Sequence, residues 1–279
     1  ELRSTGTCLA LGGLPQVVDA LAGANLVVDL TVEGLLHTRE RKDILARGAR
    51  IFMLSNEHPQ ALERFRVDPA LQAKCVAGAQ MITTAARMHV TSAAGTDLTV
   101  NLDGVQGRGS AGLADRPGMM GYWPAGLCLC FPLPRTVNGT LVLAPGDANL
   151  TFKRYVESPV TLHVRDDYVE RIEGNGLDAE LLRSYYEAWN DREAYAVSHV
   201  GWGMNPAARW DSLVMYDRAD VNCTEQRAFA GNFLYSTGAN ETANRFTPCH
   251  FDIPMRRCTV RLDDSVIVAD GVLQGELAP

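Results

Sequence analysis

The chain has 279 residues, 46% hydrophobic and 21% charged, a globular composition long enough for a large core and for two domains. Its net charge of −7 excludes a general nucleic-acid or anionic-membrane surface, since phosphate binding needs a basic patch and Arg256, Arg257 and Arg261 are too few to make one. No stretch approaches the ~20 apolar residues of a membrane helix, and seven scattered cysteines read as reduced, buried side chains of a cytoplasmic protein.

The first element is "NLVVDLTV" (25–32), a β-branched run of the kind found in buried parallel strands. A helical spacing follows in "TRERKDILARGA" (38–49), ending near Gly48, and "RIFMLS" (50–55) is the next strand. Residues 58–88 then carry two helices, each with a proline near its start. This β-α-β-α order predicts a parallel sheet with helices against it. Because the chain opens on Glu1, further βα units are expected upstream. From Met88 the pattern changes: "MHVTSAAGTDLTVNLDG" reads strand, turn, strand, and 139–173 is a run of short alternating strands. One more helix is expected over 178–190, with Asp178 as its N-cap. The expected fold is therefore α/β: an N-terminal parallel α/β domain (1–88), then a mixed, strand-rich α+β metal-binding domain (89–279).

Histidines are the informative residues. His58 opens a helix beside a proline and reads as solvated or capping, while His89 and His163 lie in strand patterns with no acidic residue two positions away. His199 is followed by Gly201 and Gly203, which permit close backbone approach to a ligand or another segment. His37 ends "VDLTVEGLLH", where a strand and its loop deliver residues to the ligand-binding edge of an open α/β sheet; it could equally cap the next helix. In "AFAGNFLYSTGANE" (228–241), Asn232, Ser236 and Thr237 suit either a pocket lining or an ordinary strand and turn.

The segment "TPCHFDIPMRRC" (247–258) sets His250 and Asp252 two apart. On a strand they share one face, with Cys249, Phe251 and Ile253 on the other. Such a pair is part of a metal site, a base with its orienting partner, or a satisfied buried histidine. Two histidines and one carboxylate are the ligand set of a non-haem Fe(II) facial triad, and Zn(II) could use the same residues.

Residues 195–261, carried by "SHVGWG" and "TPCHFDIP" about fifty residues apart, closely resemble the 2,5-dihydroxypyridine 5,6-dioxygenases of bacterial nicotinate and nicotine degradation. "LVVD", "LLH", "GYWPAGL" and "GTLVLAPGD" extend the resemblance over most of the chain. It implies an extradiol-type enzyme that uses mononuclear Fe(II) and O₂ to open 2,5-dihydroxypyridine, a small aromatic N-heterocycle, between C5 and C6 to N-formylmaleamic acid. It implies His199, His250 and Asp252 as iron ligands, His37 as the acid–base histidine, Ser236 as a substrate contact, and a homo-oligomer. The fold also resembles that of two-metal aminopeptidases, the rival reading alongside a dioxygenase for another hydroxypyridine. Those peptidases carry a metal-binding glutamate directly after a P-x-G turn. Here Leu127 follows Pro124-Ala125-Gly126, a departure that favours one metal and oxygen chemistry.

Overall fold

The computed structural model describes residues 14–31, 34–36, 38–54, 57–218 and 222–278. The expected parallel pairing is present: strand Leu26–Asp29 lies beside Arg50–Met53, with helix Arg41–Ala46 between them in sequence. A third parallel strand, Met120–Tyr122, adds on the far side of Arg50–Met53. Three residues with the sequence Met-Gly-Tyr carry no strand pattern of their own. Val27, Ile44, Ile51 and Met53 form the small core under this sheet.

Helices Pro59–Arg64 and Pro69–Thr84 both begin with the proline, where the missing N–H costs nothing. His58 caps the first by accepting from Gln60 N–H, and Asp68 caps the second by accepting from Ala70 N–H. The longer helix packs on strand Gly107–Ser110, and only glycine allows it. A Cβ added at Gly107 would lie 2.1 Å from Ala79 O, and one at Gly109 2.3 Å from Cys75 O.

The rest of the chain is mostly antiparallel. One sheet of eight strands runs in the order Tyr168–Glu173, Val160–Arg165, Val137–Leu143, Asp97–Asn101, Arg87–Ser92, Cys258–Leu262, Ser265–Ala269, Val272–Leu273. A second, of five strands, runs Arg245–Met255, Phe233–Asn240, Val197–Gly203, Leu127–Cys130, Gly107–Ser110. Apolar side chains from both, among them Val90, Leu98, Trp202, Phe233, Tyr235 and Phe251, belong to one core.

The predicted helix over 178–190 is Leu177–Trp189, but Asp178 is not its N-cap. Gly176 holds that position, and the Asp178 carboxylate accepts instead from Glu157 N–H, Ser158 N–H and Ser158 Oγ–H. A bend folded back onto the first turn offers three donors where the helix end offers one. The six described cysteines are buried, and no disulfide joins any two of them. Among the described residues no helix is long and apolar enough to cross a membrane.

Candidate active site

The five-stranded sheet brings the separated histidines together. Strand Arg245–Met255 pairs with Phe233–Asn240, which pairs in turn with Val197–Gly203. His250 and Asp252 share a face of the first, as alternation predicted. On the third, the pairing shifts register between Val197 and Val200, so that Ser198 and His199 are accommodated in a bulge. A bulge re-aims a side chain, and bulges are common beside active sites. Gly201 and Gly238 permit the tight pairing around it, since an added Cβ would meet Cys128 O or Cys249 O at 2.0 Å.

His199, His250 and Asp252 are all buried. His199 Nε2 is 3.3 Å from Asp252 Oδ1 and His250 Nε2 is 3.2 Å from Oδ2. One donor atom from each of the three lies within 4.8 Å of the others, and no other such group of three occurs among the described residues. Burial, together with the charges of His250 and Arg227, outweighs the attraction of Asp252 and pushes His199 down to about 4, so its ring is neutral with a free lone pair. Burial alone would raise Asp252. His250, the Arg227 guanidinium and His199 together hold its carboxyl well below the usual carboxylate range. Neutral imidazole and ionised carboxylate are the forms that bind a metal. Asp252 Oδ1, buried and without a hydrogen-bond donor among the described residues, is an orphaned acceptor of the kind an ion satisfies.

These side chains floor a cavity of about 430 Å³. Leu127, Leu129, Phe131 and Leu234 from the sheet, and Leu36, Leu45 and Met53 from the first fifty-odd residues, supply its apolar wall. Phe131 meets the His199 ring edge-on. Arg41, Lys42, Arg108 and Arg227 also line it; Glu241 pairs with the first two and Asp252 with the last, which leaves an excess of positive charge that favours an anionic occupant.

Of the other expected residues, Ser236 is fully buried directly across from Asp252, its hydroxyl without a partner among the described residues. His37 lies outside the described residues. Asn232 and Thr237 serve the framework: Asn232 bridges Gly203 N–H to the carbonyls of Arg227 and Phe229, and Thr237 Oγ bonds the Tyr186 hydroxyl. No sequence pattern marks Arg227 or Arg108. Arg227 sits in a five-residue helix whose partner is 25 residues away, and no periodicity links the two.

A mixed α/β scaffold in which a buried two-histidine, one-carboxylate group faces a cavity has the donor set of an enzyme that could hold a metal ion there. The chain belongs to the 2,5-dihydroxypyridine 5,6-dioxygenase (NicX) family, whose model matches residues 1–275. It is therefore a dioxygenase. A curated relative, the 2,5-dihydroxypyridine 5,6-dioxygenase of Pseudomonas putida KT2440, is 40% identical over 264 residues, 94% of this chain and 74% of that protein. The solved structure of 2,5-dihydroxypyridine dioxygenase from the same strain aligns with a TM-score of 0.92 at 38% identity, covering 99% of this chain and 79% of that one. Wild-type AmpT from Thermus thermophilus aligns with a TM-score of 0.61 at 15% identity over 93% of this chain and 80% of its own, a likeness of fold alone.

Proposed function

We propose that this protein opens 2,5-dihydroxypyridine between C5 and C6 with Fe(II) and O₂, releasing N-formylmaleamic acid, in bacterial nicotinate and nicotine catabolism. The observation that carries this reading is the buried His199–His250–Asp252 group on the floor of a cavity rich in cations. Fe(II), held by His199, His250 and Asp252, would supply the redox chemistry that activates O₂ toward the ring. Both atoms of O₂ enter the product, so no further reductant is required.

His199 offers a neutral nitrogen to the metal, His250 a second ring nitrogen and Asp252 its negative charge. The cations around the cavity favour the deprotonated ring, and His37 takes the proton of the substrate hydroxyl, as an imidazole titrating near pH ~6.5 is suited to do. Ser236, beside Asp252, hydrogen-bonds the substrate. The apolar wall excludes water. Residues 89–279 form the catalytic unit, and residues 1–88 close the cavity through Leu36, Arg41, Lys42, Leu45 and Met53. The enzyme is a cytoplasmic homo-oligomer, and its buried cysteines agree with a reducing compartment. Nothing at the site favours a two-metal hydrolase, since Leu127 presents an apolar side chain to the cavity.

The test is O₂ uptake on adding 2,5-dihydroxypyridine to protein loaded anaerobically with Fe(II), with Zn(II)-loaded protein as control. Uptake matching substrate loss one to one, with iron only, supports the reading; absence of uptake despite bound iron removes it. His37→Ala is expected to keep its iron and lose ~10²–10⁴-fold in turnover, the scale of a general acid–base group.

A further inference from the structure

The two oxygens of Asp252 stand in different surroundings. Oδ2 accepts a 2.6 Å hydrogen bond from Arg227 Nε. Oδ1, 3.3 Å from His199 Nε2, is buried and receives no hydrogen bond among the described residues. His250 Nε2 stands 3.2 Å from the clamped Oδ2, so the bare oxygen of this buried carboxylate faces His199.

Arg227 is itself held from several sides. Its Nη1 donates to Asn222 O at 2.9 Å. It lies on helix Thr224–Ala228, whose first N–H, at Thr224, donates to Glu57 Oε1 at 2.8 Å. The neighbouring Glu225 is gripped by both terminal nitrogens of Arg64, at 2.6 and 2.9 Å. A guanidinium fixed in this way presents its N–H groups in a rigid fork. The remaining nitrogen, Nη2, has no hydrogen-bond partner among the described residues, and Arg227 forms part of the cavity wall.

We propose that Arg227 is a positioning residue with two working edges: Nε occupies Oδ2 so that Asp252 offers Oδ1 alone to the metal, and Nη2 is kept for an anionic oxygen of the ring bound beside it. The inference rests on the metal reading above. A fixed positive charge beside a cation site disfavours the bare ion and favours the ion together with an anion, so Arg227 couples metal binding to binding of the deprotonated ring. Lysine cannot replace it, because a single ammonium cannot clamp Oδ2 and leave a second donor edge toward the cavity.

Co(II), bound anaerobically, is the probe, since its visible ligand-field bands report coordination number. Arg227→Lys, Arg227→Gln and His250→Ala are compared with wild type for Co(II) affinity by chelator competition, for spectrum, and for affinity of the Co(II) form for 2,5-dihydroxypyridine without O₂. Arg227→Gln relieves the repulsion of the bare ion but frees Asp252 from its clamp, and the loss of an ordered ligand is expected to win, weakening Co(II) binding by 10–100-fold, the scale of an outer-shell partner. Its bands should shift as both Asp252 oxygens reach the metal, and ring affinity should fall at least tenfold. Arg227→Lys should share the shifted bands and recover part of the ring affinity, because it keeps the charge. It decides alone if the glutamine variant does not fold. Wild-type affinity, spectrum and ring binding in the arginine variants, while His250→Ala has lost Co(II), would overturn the proposal. Shifted bands with unchanged ring affinity would overturn the substrate-facing half. Co(II) retained at full affinity by His250→Ala would instead overturn the metal reading itself.

Discussion

Glu57 is the residue whose charge state depends most plainly on the fold. Burial pushes its carboxyl from 4.5 up to about 7, against the hydrogen bonds from Thr224 and the charge of Arg227. Below pH ~4.5 the folded and unfolded chains both hold the proton; between there and about 7 only the folded chain does. The stabilisation is therefore full at low pH and is lost as pH rises through about 7. Glu57→Gln keeps an acceptor for Thr224 N–H and cannot ionise. Its melting temperature relative to wild type should climb between about pH 4.5 and 7 and then level off; a constant difference across that range would refute the shift. Single residues also show what a sequence can reveal about chemistry. His250 and Asp252 were legible because strand alternation is local. Arg227 was not, because its role exists only once a helix and a distant strand meet.

At the scale of elements, the site depends on how closely three strands approach. His199 reaches Asp252 because a bulge and two glycines let Val197–Gly203 sit between its neighbours. Gly201→Ala would place a Cβ 2.0 Å from Cys128 O, and backbone cannot yield as a flexible side chain can. The expected loss is at least the roughly 1–3 kcal/mol of overpacking, read from urea denaturation, and metal retention should fall with it. An alanine variant of wild-type stability would show that the strands have slack. The two glycines after His199 were visible in the sequence, and their reason, close backbone approach, was readable. Register and the bulge were not, since both belong to a pair of strands. The same limit hid the partners of His89 and His163, which are Asp97 and Glu173 on adjacent strands, each 2.8 Å away.

At the scale of the whole molecule, the early parallel segment is fastened to the part of the chain that carries His199, His250 and Asp252 by ion pairs that no local pattern announces. Arg41 Nη2 donates to both carboxylate oxygens of Glu241 at 2.9 and 3.0 Å, and Arg64 grips Glu225 through both terminal nitrogens. The second pair bears directly on the site, because Glu225 lies on the helix that carries Arg227. Glu225 is 2% exposed and also accepts from Arg209 N–H, whereas Arg64 keeps 26% of its side chain in water. Removing the arginine strands a buried carboxylate, which costs roughly 3–5 kcal/mol in a fully buried pair. The exposure of Arg64 and the Arg209 bond reduce this to about 2 kcal/mol, or a fall of ~4–8 °C in melting temperature at 2–4 °C per kcal/mol. Arg64→Leu should show that loss together with weaker metal binding, because the support under Arg227 has loosened. Adding Glu225→Gln removes the stranded charge and keeps an acceptor for Arg209 N–H, so the double variant should regain part of the lost stability. It should not regain the metal affinity, since the clamp from the first segment is still missing. A double variant less stable than Arg64→Leu would mean that the cost is packing, and that the charge at Glu225 is tolerated without its partner.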